Sequence, residues 1–285
     1  MTDYRLLHVN GVDIAVYEWG TQRADQPSIL FAHATSFHAR IWSQVIAHLT
    51  DFHCVAIDLR GHGRSSAAPP PYFWNFFADD LIEVGEALGL SGAIGVGHSI
   101  GGHAVTLAAA RQPNLFSRLL LIDPVIFPPE MYVGVVELNH FAARRRNQWN
   151  SPDEMYERFK DRPPFNAWNP AVLRDYVDYG LLPNPNGEGF ILACTPEFEA
   201  ASYNYGTATN IYPEIATIQI PVTILRAHRS SDNFTLNMAD SPTAPDLASH
   251  FAHSTDVYLP DHSHFIPMEA PELVADYVRK VADNE

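Results

Sequence analysis

The chain has 285 residues, 46% of them hydrophobic and 18% charged, enough to bury a large core as one domain or as one domain with an insertion. Its formal net charge of −15 argues against nucleic acid or an anionic membrane surface as a partner, because association would begin with repulsion. No apolar run approaches the ~20 residues that cross a bilayer, the N-terminus lacks the basic-then-apolar layout of a signal peptide, and Cys54 and Cys194 lie far apart, so a soluble protein of the reduced cytoplasm is expected.

In chain order, the N-terminal alternation of apolar and polar residues predicts two strands, the second over Val12 to Trp19. "SILFAH" (Ser28 to His33) is apolar on both faces, as a buried parallel strand is, and "FHCVAID" (Phe52 to Asp58) reads as another strand. A helix is predicted over Ala39 to Leu49. Another starts at Trp74, where Trp74, Phe77, Leu81, Val84 and Leu88 step by three and four. Strand "GAIGVGH", helix "IGGHAVTLAAARQ" and strand "RLLLID" follow. This alternation implies an α/β fold with a mostly parallel sheet and helices on both faces.

After Asp123 the pattern breaks until "VTILRA" (Val222 to Ala227). Ser151-Pro152-Asp153-Glu154 has the form of a capping box, Asn169-Pro170 opens a helix that Gly180 closes, and Thr195-Pro196 opens another. A structureless loop of this length is improbable in a compact domain, so residues 124–216 are expected to form a helical cap inserted into a core of 1–123 and 217–285. Arg144-Arg145-Arg146, inside that segment, reads as a solvated face. A helix near Pro242 to Phe251, strand "DVYLP" and a last helix with apolar face Leu273, Val274, Tyr277, Val278 and Val281 close the chain.

Gly97-His98-Ser99-Ile100-Gly101 is G-x-S-x-G, a pattern that turns up by chance about 0.1 times in a chain of this length. Its context gives it weight, because it sits where buried strand "AIGV" turns directly into a helix, the setting of a nucleophile elbow. Projecting a hydroxyl from such a turn needs a strained serine backbone, with residues two before and two after it that lack bulk. Ser99 would then stand at a helix N-terminus, where amides and dipole favour developing negative charge. A serine hydroxyl needs a base held by a carboxylate, in chain order Ser, acid, His. His262 and His264 in "LPDHSHFIPMEAPELV" both qualify as the base, and Asp232 in "RAHRSSDNF" is the acid directly after a strand.

Four blocks, "FAHATSFHARIW", "DLRGHGRSS", "GHSIGG" and "DHSHFIPMEAPELV", resemble the α/β-hydrolase superfamily, specifically its cap-bearing, cofactor-free serine hydrolases of esterase type. The resemblance implies Ser99 as nucleophile and Asp232 as orienting acid, with Asp123, a position that holds the acid in some branches, as runner-up. It selects His264 as base, since His264 precedes an apolar residue and leads Glu269 and Pro271 at the usual spacing. Oxyanion amides would come from Ile100 and Thr35. Ala34 stands where glycine is usual, which leaves Thr35 or Ala34 open, and Ser263 replaces the glycine before the base. Asp58, Arg60, His62 and Arg64 look like a structural turn. His33, His98 and His103 have no partner at metal-ligand spacing and are read as packing or hydrogen-bonding residues, so neither metal nor cofactor is expected.

The function so implied is a serine hydrolase that cleaves a carboxylic ester or related acyl compound through an acyl-enzyme. C–C bond hydrolysis or perhydrolysis by the same triad is the alternative within enzymes, and a ligand receptor on the same fold is the alternative outside them. Aromatic residues in the cap segment, among them Tyr132, Phe141, Trp149, Phe159, Phe165, Trp168, Phe190 and Phe198, suggest a small, largely apolar substrate, and a homodimer is left open.

Overall fold

The structure is a computed structural model and describes residues 4–231 and 237–283. Eleven strands and nine helices follow one another among these residues. The hairpin β1 (Tyr4–Val9) and β2 (Val12–Trp19) leads into β3 (Ile29–Ala32), helix α1 (Ser43–Ile46), β4 (Cys54–Ile57) and α2 (Asn75–Ala87). Next come β5 (Ala93–His98), α3 (Ile100–Arg111) and β6 (Phe116–Ile122). The eight-stranded sheet resumes only with β10 (Val222–Ala227) and β11 (Ser254–Leu259), and α8 (Ile266–Glu269) and α9 (Pro271–Asp283) end the chain.

The strand order is β1-β2-β4-β3-β5-β6-β10-β11. Only the pairings of β2 are antiparallel; from β4 to β11 every neighbour is parallel. Alternation of side chains across the pleat divides the core into two layers. Ile29 and Phe31 of β3 face the layer that holds Val45, Val274 and Val278, whereas Leu30 and Ala32 face the layer of Phe77, Leu81 and Val105. Helices α1 and α9 therefore cover one face and α2 and α3 the other. Each such fully buried aliphatic side chain contributes about 1.5–3 kcal/mol.

Residues between β6 and β10 leave the sheet. They carry α4 (Pro152–Phe159), α5 (Pro170–Tyr179), α6 (Pro196–Tyr203) and α7 (Tyr212–Ile215). Ser151 Oγ accepts from the Glu154 amide, Asn169 Oδ1 from the Ala171 amide and Thr195 Oγ1 from the Phe198 amide, so the side-chain caps start each of the three longer helices. The segment is not helical throughout. β7 (Gln148–Trp149), β8 (Leu181–Pro183) and β9 (Phe190–Leu192) form a small antiparallel sheet in the order β7-β9-β8.

The excursion is pinned to the core. Gln44 Nε2 donates to Asp175 Oδ2 at 2.7 Å, and Trp74 Nε1 donates to the Ser202 carbonyl at 3.0 Å. Arg145 is not part of a solvated face: its side chain is 21% exposed and its guanidinium reaches the Glu199 carboxylate, the Ser36 hydroxyl and, at 3.0 Å, the Tyr176 hydroxyl. Two predicted helices are shorter than expected. Ala39–Trp42 is a 3-10 turn that passes into the single turn α1, and within 242–251 only Leu247–His250 winds, again as a 3-10 turn.

Candidate active site

Parallel strands that end at one edge gather their following loops there, and in open α/β sheets that edge is where sites form. Ser99 follows β5, Asp123 follows β6, and His264 lies in the loop after β11. Ser99 has φ 58° and ψ −120°, a conformation that L-residues adopt only when surroundings impose it. Those surroundings are two close backbone approaches. A Cβ on Gly97 would strike the backbone of Gly101 and Gly102, and one on Gly101 would strike the carbonyls of Ala32 and His33. Only glycine at both places lets the turn close and hold Ser99 above it.

His264 bridges the other two. Its Nδ1 lies 2.6 Å from Asp123 Oδ2 and its Nε2 lies 3.0 Å from Ser99 Oγ. A carboxylate only accepts, so Nδ1–H donates to Asp123; Nε2 is then left with a lone pair, and it accepts from the serine hydroxyl. All three side chains are buried. Asp123 is fully enclosed and its second oxygen is also satisfied, accepting from the Ala227 amide at 2.9 Å and the Ser241 hydroxyl at 2.6 Å; the Thr243 hydroxyl lies 3.3 Å from the same oxygen and donates to the Pro124 carbonyl at 2.8 Å.

The acid on His264 is therefore Asp123, where the resemblance puts Asp232 first. Asp232 itself lies outside the described residues. The physical reason for the exchange is visible on either side of that stretch: the Ala227 amide before it and the Ser241 hydroxyl after it both donate to Asp123 Oδ1, so they form the hydrogen-bonding wall of an acid carried by β6. Asp123 also has φ 43°, which swings its carboxylate off the strand line, and its amide donates to the Leu225 carbonyl at 2.7 Å.

The loop that carries His264 is tied down at several points. The His264 amide donates to the Ala239 carbonyl at 2.8 Å, and Glu269 accepts from the Ser263 amide at 3.1 Å and from the Ser263 hydroxyl. His262 is directed to Glu269 at 3.3 Å and stands outside the Ser99 line. His98, inside the G-x-S-x-G motif, donates through Nε2 to the His264 carbonyl at 2.8 Å. Burial, with His264 beside it, keeps the His98 imidazole well below the usual histidine range and so neutral. Nothing in the motif's spacing signals that contact, because its partner lies 166 residues away.

Of the two amides the resemblance proposes for an oxyanion, that of Ile100 is the first of α3, where a helix leaves its N–H groups without intrahelical acceptors. His33 orients the other. Its Nδ1–H donates to the Ala34 carbonyl at 2.7 Å and its Nε2 accepts from the Leu59 amide at 3.0 Å, which fixes the neutral tautomer. The Ala34 carbonyl also accepts from the Phe37 amide at 3.2 Å. In a trans peptide the N–H points opposite to the C=O, so the Thr35 amide points away from that cluster. Among the described residues neither the Ile100 nor the Thr35 amide has a protein acceptor.

Asp58 of the "DLRGHGRSS" block performs a structural task. It accepts from the Ala39 amide at 2.6 Å, the Arg64 amide at 2.7 Å and the Tyr17 hydroxyl at 3.2 Å, and so clamps the loops after β3 and β4. Burial pushes its carboxyl up to about 6. A cavity of about 380 Å³ opens beside Thr35 and Phe265, the neighbour of His264, and its outer wall comes from the segment between β6 and β10. Among the described residues no three His, Cys, Asp or Glu side chains gather to hold a metal ion, and no helix is long and apolar enough to cross a membrane.

The sequence model of the alpha/beta hydrolase family matches residues 29–277. The chain belongs to this family. A non-heme chloroperoxidase of Streptomyces lividans is 33% identical over 255 residues, 86% of this chain and 87% of that one. A bifunctional esterase/perhydrolase of Acinetobacter calcoaceticus is 40% identical over a shorter stretch of 125 residues, which spans 43% of this chain and 44% of the relative. The 2-(acetamidomethylene)succinate hydrolase of Mesorhizobium japonicum is 26% identical over 92% of this chain and 90% of its own. A crystal structure of E-2-(acetamidomethylene)succinate hydrolase superposes with a TM-score of 0.79 at 22% identity, covering 99% of both chains, which shows the shared alpha/beta hydrolase fold.

Proposed function

We propose that this alpha/beta hydrolase is a serine hydrolase that cleaves a small, largely apolar carboxylic ester, or a related acyl compound, through an acyl-enzyme. The observation that carries the reading is the unbroken hydrogen-bonded line from Asp123 through His264 to Ser99 on a strained elbow. In the first half-reaction Ser99 Oγ bonds to the carbonyl carbon while its proton passes to His264 Nε2. Asp123 keeps the imidazole oriented and stabilises the imidazolium. The carbonyl oxygen takes the electron pair and lies against the Ile100 and Thr35 amides; one such donor is worth about 3–4 kcal/mol. Collapse of the adduct breaks the C–O bond, and His264 returns the proton to the leaving alcohol. In the second half, water gives its proton to His264 and its oxygen to the acyl carbon, and Ser99 leaves as the hydroxyl.

Hydrogen peroxide in place of that water would give a peracid by the same steps. The names of two relatives, an esterase/perhydrolase and a non-heme chloroperoxidase, favour this as a second activity of the same site. The residues between β6 and β10 serve in this reading as the cap, whose aromatic side chains accept the apolar body of the substrate. The test is to label the protein with a fluorophosphonate, map the adduct, and follow hydrolysis of short aryl esters with and without peroxide. An adduct on Ser99, and a loss of about 10⁴-fold or more in Ser99→Ala, are expected. Turnover that survives in Ser99→Ala would sink the mechanism.

A further inference from the structure

Ester hydrolysis by itself does not explain the charge of the cavity beside Thr35 and Phe265. The chain carries 33 acidic residues against 18 Lys and Arg, yet Arg145, Arg146, Arg158 and Arg162 all line this one cavity, and Glu199 is the carboxylate among its described lining. Glu199 is occupied by Arg145. Arg146 donates to Glu154 Oε1 at 2.5 Å and lies 4.2 Å over the Trp149 ring. Arg158, in the last turn of α4, and Arg162, four residues on, have no side-chain hydrogen bond or ion pair among the described residues. Both are exposed and line the same cavity, so two cationic donors without a protein partner among the described residues stand ready for an anion there, in a protein that is otherwise acidic.

Resting on the hydrolase reading above, we infer that the substrate carries a carboxylate remote from its scissile carbonyl and that Arg158 and Arg162 bind it. A guanidinium matches a carboxylate with two parallel N–H donors, and the two residues sit on one rim. The same cavity is lined by aromatic rings, Phe165 stacking on Phe159 at a centroid distance of 4.3 Å and meeting Trp168 edge-on at 4.8 Å, so the stretch linking carboxylate to ester is apolar in this reading. The molecule as a whole repels anions. Local capture at these two residues therefore decides whether such a substrate enters, and added salt weakens it.

The test compares two matched ester pairs on the full-length protein: mono-4-nitrophenyl glutarate against its methyl-capped diester, and 4-acetoxybenzoate against its methyl ester. The first puts the carboxylate on the acyl side, the second on the alcohol side. A preference of about tenfold in kcat/KM for the acid of one pair is expected, shrinking with salt and falling toward one in Arg158→Gln/Arg162→Gln through a rise in KM. Equal or better hydrolysis of both neutral esters, or a preference that persists in the double variant, overturns the inference. If no ester turns over and Ser99 takes no fluorophosphonate, the hydrolase reading fails separately. Calorimetric titration of Ser99→Ala with glutarate then decides the anion site alone: binding that disappears when both arginines are changed supports it, and absence of binding overturns it.

Discussion

Asp123 reaches His264 from the strand next to the one that presents Ser99, with Oδ2 2.6 Å from Nδ1, and its other oxygen accepts from the Ser241 hydroxyl and the Ala227 amide. An asparagine there would still fit the site, but its amide can set the imidazole in the wrong tautomer. Asp123→Asn should therefore lower kcat about 10⁴-fold with little change in folding. Asp232→Asn should leave turnover near that of the parent protein. A large loss in Asp232→Asn with activity retained in Asp123→Asn would return the acid's role to residue 232.

The elbow gives a steric prediction. A methyl on Gly101 meets the Ala32 carbonyl, and neither partner is a side chain that can turn aside. Gly101→Ala should cost more than about 3 kcal/mol in urea unfolding, or yield no soluble protein. Gly187→Ala is the control: the nearest atom to its new methyl is Asn184 Nδ2 at 3.6 Å, an ordinary contact, so stability should hardly move. Equal tolerance of both substitutions would mean that the turn at Ser99 can open to admit a methyl group.

What could be read from residue order alone follows local physics. The sheet strands β3, β4, β5, β6 and β10 are short apolar runs bounded by turns, and the elbow is a contiguous pentapeptide, so both were legible. The small sheet was not, since β7, β8 and β9 have two or three residues each, too few for a period of two to show. Pro242 and Pro245 confine the predicted helix of 242–251 to one 3-10 turn. Two aspartates each follow a strand, and only the tertiary course of the chain around Ser241 and Thr243 distinguishes them. Arg145 read as solvated because its carboxylate partner stands 54 residues away.

That partner makes Arg145 a stability determinant. Glu199 has a side chain only 5% exposed, and without the guanidinium it would be a buried, uncompensated charge. Arg145→Met should destabilise the protein by about 3–5 kcal/mol, and Arg145→Met/Glu199→Gln should recover much of the loss, because removing both charges also removes the desolvation penalty. Urea midpoints of the two variants check this. A double variant no more stable than Arg145→Met alone would assign the cost to the lost Ser36 and Tyr176 contacts instead.

The buried histidines set the acid limit of the fold. Burial is the first cause in each case: it lowers His38 to about 3 and His62 and His103 to about 4, and it holds His33 and His98 well below the usual range. In the unfolded chain the same side chains take up protons near pH 6.5. Above that pH neither state is protonated and stability is full. As pH falls from 6.5 toward 4 the unfolded state binds protons that the folded state refuses, so each group removes about 1.4 kcal/mol per pH unit. Asp58 acts in the opposite sense, since its raised carboxyl takes a proton in the folded state near pH 6 while the unfolded chain waits for lower pH, and Asp80 and Asp175, also raised by burial, act with it; these three stand against six lowered imidazoles, His140 included. The free energy of unfolding, measured by urea titration, should therefore fall steeply below pH 6.5, and exchanging His103 for Gln should flatten the slope by about one proton. A flat profile between pH 6.5 and 4.5 would show that these imidazoles protonate without loss of the fold.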